Sequence, residues 1–325
     1  MLSTQNEGPL VFIDWISPAA HKNFNLPLFS LFPDPRNFYY YFIKDLSCKG
    51  PRNYLILSGS GRIKRFFEVT KIIWKNKENR IVLITYDPLF VPFILFLKRR
   101  IFCFEHNTVP ERPRYYKHAI WQFIFTRRLI RMTTSQEQTK TLLKLKQNAK
   151  YVGVPLSTDL KYKSKSLQNP KITFLIPSYR TEDRDLLNIR DLINGSEILV
   201  KKNINLSDNI ISLLDLKVIS FDYIDLEENS KNILGVLISG KSEIRLSGWI
   251  AESISHGLTI ISCSKNIDSM IDNNYPNFRY ISSTGNTSVN ALISSYDENI
   301  KFNLNLVASH NANFCKRVLN CFEEN

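Results

Sequence analysis

At 325 residues, 43% hydrophobic and 22% charged, the chain is long enough for two domains of ordinary size, and nothing in it resembles a low-complexity tail. Its five cysteines (48, 103, 263, 315 and 321) are scattered and form no C-x-x-C pair, which suggests neither a disulfide framework nor a zinc site and suits reduced thiols in a cytosolic protein. The formal charge of +13 is unevenly spread: residues 1–150 hold 25 Lys and Arg against 10 Asp and Glu, residues 151–325 hold 18 against 20.

The N-terminus "MLSTQNEGPLVFIDW" lacks a basic n-region followed by a long apolar stretch, so no signal peptide is expected. In chain order, strands are predicted at 10–16, 54–58, 80–85, 100–104, 129–133 and 151–154. Helical patterns lie between them at 63–74, 88–97, 118–125 and 136–146. The polar, Pro-bounded "PLSTDLKYKSKSLQNPK" reads as a linker. A second alternation follows: strand 172–176, helix 185–192, strand 197–200, helix 207–214, strand 217–221, helix 226–234, strand 235–239. The short helix containing Glu252, a strand at 258–262 and a helix around 312–322 complete it. Such alternation predicts two doubly wound, Rossmann-like α/β domains facing a cleft, at 1–156 and 157–325, the last helix packing back on the first domain. Ligands of such sheets bind beyond the carboxyl ends of the strands.

The basic first half calls for an anionic partner, nucleic acid or a membrane surface. No helix-turn-helix, zinc-finger or RNA-binding signature accompanies the charge, which argues against nucleic acid. In "LFVPFILFLKRRIFCF" and "AIWQFIFTRRLIRM" bulky apolar residues run into Arg and Lys clusters, each run too short to span a bilayer. An interfacial element or a buried helix with a basic connection fits both stretches.

"SGWIAESISHGLTIISCS", residues 247–264, carries the most chemistry. Ser247 suits a helix N-cap and Gly257 the left-handed residue that stops the helix. Free amides at Gly248 and Trp249, the Ser247 hydroxyl, and Lys241 and Arg245 just upstream make an anion site. Gly248 has no side chain to keep a phosphate from the backbone. Glu252, one turn further on, suits either a ribose diol or plain solvent. Tyr223 and Ile224 follow a strand, where they suit a nucleobase or core packing equally. "LSGSGR" at 57–62 lacks the third glycine of a dinucleotide fingerprint.

The same segment, with "FDYIDLEENSKNILGVLISG" before it, resembles the signature region of GT-B fold glycosyltransferases of bacterial surface-polysaccharide assembly. The match is strongest over 219–264. The pattern departs in places: Ile244 stands where a first Glu precedes Glu252, with Glu243 one residue off, and Ser253 and Thr259 replace the usual Ala and Pro. The resemblance implies a nucleotide-sugar donor, with Arg180 and Arg184 of "FLIPSYRTEDRD" on its diphosphate and no metal or other cofactor. It implies that His106, after the strand in "RIFCFEHN", contacts the donor sugar, and it favours retention over inversion. The "DRD" at 183–185 is read as a helix start rather than a metal motif.

The loop "DWISPAAHKNFN" then offers Asp14, His21 and Asn25 to the acceptor. The implied enzyme is a peripheral protein of the inner membrane face acting on a lipid-linked glycan. A nucleotide-sugar epimerase of the same architecture and a non-catalytic scaffold relative are the alternatives.

Overall fold

The computed structural model describes residues 9–14, 18–41, 54–56, 62–84, 100–105, 129–157, 173–177, 181–202, 204–222, 224, 226, 232–239, 248–285 and 287–323. The chain divides into two compact units, Met1–Pro155 with Asn313–Asn325, and Leu156–Ala312.

The first unit begins with β1 (Leu10–Asp14), buried throughout, as a strand covered on both faces must be. Then come α1 (Pro18–Leu31), β2 (Phe38–Tyr41), β3 (Tyr54–Ile56), α2 (Arg62–Lys75), β4 (Arg80–Leu83), β5 (Ile101–Glu105), β6 (Leu129–Thr133), α3 (Gln136–Lys144) and β7 (Ala149–Tyr151). The strands pair in parallel in the order β3-β2-β1-β4-β5-β6-β7, so the winding reverses between β1 and β4. Alternate residues serve opposite faces. Leu10, Phe12, Phe102 and Phe104 meet Phe24 and Leu28 of α1 and, from the C-terminal segment, Phe314 and Val318. Val11, Ile13, Ile101 and Cys103 meet Val69 and Ile73 of α2.

The stretch read as a loop after β1 is helix α1. Its Pro18 occupies the first helical position, where the missing N–H costs nothing. Buried Phe24, Leu28 and Phe29 then dock it on the sheet despite Pro27 within. Strand β2 was also missed; its Tyr39 ring stacks on Phe12 at 5.3 Å.

The second unit contains β8 (Thr173–Ile176), α4 (Asp183–Leu187), α5 (Arg190–Ile193), β9 (Glu197–Lys201), α6 (Asp208–Leu213), β10 (Lys217–Phe221), β11 (Gly235–Ile238), α7 (Gly248–Ser255), β12 (Thr259–Ser262), α8 (Lys265–Asn274) and α9 (Val289–Glu323), which continues into the first unit. The parallel order is β10-β9-β8-β11-β12, with the reversal between β8 and β11. The single helix expected over 185–192 is broken at Asn188, whose side-chain amide donates to the Cys263 carbonyl at 2.9 Å. Gly257 ends α7 at φ +62°, and a Cβ there would sit 3.1 Å from the Ile300 side chain, so both backbone and packing require glycine.

Helix α9 is 35 residues long, far beyond the segment expected at 312–322. Its buried stripe continues through Leu292, Ile300, Asn303, Val307, Asn311, Phe314 and Val318. Two of these are asparagines that serve extended backbone. Asn311 accepts from the Leu156 N–H and donates to its carbonyl, both at 2.9 Å, and Asn303 does the same for Arg279 at 2.8 and 3.2 Å. The helical patterns at 88–97 and 118–125 lie outside the described residues, as do most of 226–234 and most of the expected linker.

Candidate functional site

Loops leaving the two strands beside a reversal diverge, and the crevice between them receives the ligand in open parallel sheets. In the second unit those strands are β8 and β11, and their carboxyl ends are tied together. Thr181 and Ser239 are both buried, and their hydroxyls share a hydrogen bond of 2.6 Å. Sequence reasoning missed this pair, since a Thr and a Ser 58 positions apart carry no pattern until the sheet order makes them neighbours. Arg180 immediately precedes Thr181 but lies outside the described residues, as do Tyr223, Lys241, Ser247 and His106.

Helix α7 connects β11 to β12, so the parallel winding puts its N-terminus at the carboxyl end of the sheet. Ile250, Ala251, Ser253 and Ile254 are buried and hold the helix against the unit. Gly248 is exposed, and no described atom lies within 4 Å of where its Cβ would be. Glu252, half-buried, is four residues on and therefore on the same face, one turn away. Ile224, past β10, is half-buried too. Among the described residues the Ser253 hydroxyl is fully buried with no hydrogen-bond partner. Ser253→Ala removes that unsatisfied group and improves helix propensity. It is expected to raise stability by about 1 kcal/mol, read as a higher urea midpoint at unchanged slope.

Arg184 has a local ion-pair partner. Its Nε lies 3.0 Å from Glu182 Oε2, and the side chain is 74% exposed. The two carboxylates of "DRD" bind backbone amides: Asp183 accepts from Ser207 N–H at 3.2 Å, and Asp185 from Glu182 N–H at 3.0 Å at the start of α4. No three His, Cys, Asp or Glu side chains among the described residues converge as metal ligands. Burial drives the Cys103 and Cys263 thiols well above their ordinary range, so neither supplies a thiolate.

In the first unit, Asp14 ends β1 beside the reversal. Asn25 Nδ2 donates to its Oδ2 at 2.6 Å, and both residues are buried. His21 stands one turn before Asn25 on α1; its side chain is outside the described residues. Glu105 lies one residue beyond the strand expected at 100–104. It is the last residue of β5 and is fully buried. Arg131 of β6, opposite Cys103 in the register, lies diagonally across from it, and Arg131 Nη1 donates to Glu105 Oε2 at 2.9 Å. Glu105 immediately precedes His106 in the sequence.

A cavity of about 400 Å³ in the second unit is lined by Leu258, Thr259, Arg279, Tyr280 and Asn303, among others. It lies at the amino end of β12, the wrong end of the sheet for the ligand crevice.

No family model and no curated protein matches the sequence. Solved structures do match the fold. HepE of Anabaena in complex with UDP-glucose is similar at TM-score 0.60 and 10% identity, over 96% of this chain and 95% of that one. A glycosyltransferase from Rickettsia africae is similar at TM-score 0.58 and 10% identity, over 96% and 94%. WaaG, a glycosyltransferase involved in lipopolysaccharide biosynthesis, is similar at TM-score 0.54 and 10% identity, over 93% and 94%. The chain has the GT-B fold: two parallel, doubly wound α/β units.

Proposed function

We propose that the protein is a metal-independent glycosyltransferase that moves a sugar from a nucleotide-sugar donor to a lipid-linked glycan acceptor in surface-polysaccharide assembly. The observation that carries the reading is the start of α7. An open backbone at Gly248 and a carboxylate at Glu252 share one helix face, at the ligand end of a sheet whose fold is shared with a UDP-glucose complex. Developing negative charge on a departing nucleoside diphosphate is stabilised by fixed donors and cations. Arg180, Lys241, the Ser247 hydroxyl and the α7 amides fill that role, with Glu252 on the ribose and Tyr223 and Ile224 beside the base. Arg184, exposed and paired to Glu182, adds a second cation toward the diphosphate.

The first unit takes the acceptor. Asp14 and Asn25, fixed to each other at the reversal of its sheet, present a preset carboxylate–amide pair, and His21 stands one turn before Asn25. His106 contacts the donor sugar, and transfer proceeds with retention. The basic first half faces an anionic membrane on its cytoplasmic side. No helix among the described residues is long and apolar enough to cross a membrane.

The test is a turnover assay on nucleotide-sugars, with and without chelator, on wild type and His106→Ala. Wild-type activity is expected to survive chelation. His106→Ala is expected to lower turnover at least about 10-fold, as for loss of a positioned group at a reacting centre. Nucleotide affinity is expected to stay unchanged. A fully active mutant removes His106 from the site, and complete loss with chelator refutes the metal-free mechanism. Absence of turnover with every donor returns the scaffold reading.

A further inference from the structure

The outward face of α2 carries bulky apolar residues that the fold does not cover. Ile63, Phe67 and Trp74 are 71%, 64% and 65% exposed, while Val69 and Ile73 on the opposite side are completely buried against the sheet. At 100° per residue the three fall within about 40° of arc, so they form one stripe. Lys64, Lys71 and Lys75, all exposed, flank that stripe on one side, and exposed Lys77 follows the helix. Across 62–78 there are six basic residues and two acidic ones.

We infer that α2 is a membrane-docking element, its Ile63–Phe67–Trp74 stripe entering the headgroup boundary of an anionic bilayer while the lysines reach the lipid phosphates. The residue types choose this occupant over a protein. Protein interfaces are enriched in aromatics but depleted in lysine. A bilayer surface accommodates both, because Trp and Phe settle at the boundary and Lys stems lie along it with their ammonium groups in the anionic layer. The helix is already held by its buried face, so docking orders nothing and the exposed stripe is available as it stands. The assignment rests on the reading in which this unit works at a membrane. It moves the contact from the apolar-basic stretches at 89–104 and 119–132, most of which lie outside the described residues, to a helix whose exposure is defined.

The test is flotation of the full-length protein with vesicles of phosphatidylcholine alone and with an added share of phosphatidylglycerol. Wild type is expected to float with the anionic vesicles only and to be released at high salt, where charge screening is short-ranged. Ile63→Ser/Phe67→Ser/Trp74→Ser is expected to lower the bound fraction at least about 10-fold, with an unchanged melting temperature. Lys64→Glu/Lys71→Glu/Lys75→Glu, which spares the apolar stripe, is expected to do the same and guards against a folding defect in the first variant. A variant pair that floats like wild type overturns the assignment to α2 but leaves membrane binding intact. Wild type that ignores anionic vesicles, or binds neutral ones equally, overturns it altogether. Lipid-free self-association that the first variant abolishes overturns it in favour of a subunit interface. Donor turnover on the same preparations without vesicles reads the glycosyltransferase assignment separately.

Discussion

Replacing Arg131 by Met is expected to cost about 3–5 kcal/mol of stability, because it takes away the cation that faces the buried Glu105 carboxylate. Both side chains are 0% exposed and 2.9 Å apart, so solvent cannot take over the lost partner. The loss is a large fraction of the roughly 5–15 kcal/mol that holds a typical domain together. Removing both charges should do less harm than removing one. Arg131→Met with Glu105→Leu replaces the pair by apolar volume, and buried pairs exchanged in that way often come out near neutral. Urea unfolding of the two single variants and the double variant completes the cycle. A single variant within about 1 kcal/mol of wild type, or a double variant worse than the sum of the singles, would show that the pair does not anchor the end of β5.

Glu252→Ala is expected to weaken nucleotide binding by about 1–3 kcal/mol, the cost of leaving polar partners of a bound ribose unmet. The nucleotide is chosen first, by the largest melting-point rise among UDP, GDP, dTDP and CMP, since a ligand that binds only the folded state raises stability by mass action. Calorimetry on wild type and variant then measures the difference. The side chain is half-buried on a helix whose buried face is formed by other residues, so its removal should leave the fold intact. Unchanged affinity at unchanged melting temperature would make Glu252 an ordinary half-buried helical glutamate.

What the sequence by itself determined is what local chemistry controls. The strands, β2 excepted, are short apolar runs, bounded by polar residues, that side-chain pattern alone identifies. The stop of α7 at Gly257 is a backbone requirement written in one residue, and φ there is +62°. Asp14 and Asn25 were legible as polar residues just past a strand, although their mutual hydrogen bond was not. Tertiary structure decided whatever depends on partners distant in the chain. Helix α1 carries an internal Pro and two Asn that read as a turn, and it forms because Phe24, Leu28 and Phe29 have a sheet to cover. The first two thirds of α9 are rich in Asn and Ser, poor helix formers, and are held by a buried stripe in which Asn303 and Asn311 bind extended backbone from elsewhere. The Glu105–Arg131 pair, 26 positions apart, carries no sequence pattern and exists because the β5–β6 register sets the two residues diagonally across from each other. The Thr181–Ser239 bond exists only because the winding reverses between β8 and β11. Propensity and patterning act over a few residues, whereas burial and polar pairing are settled only when the sheet order chooses each residue's neighbours.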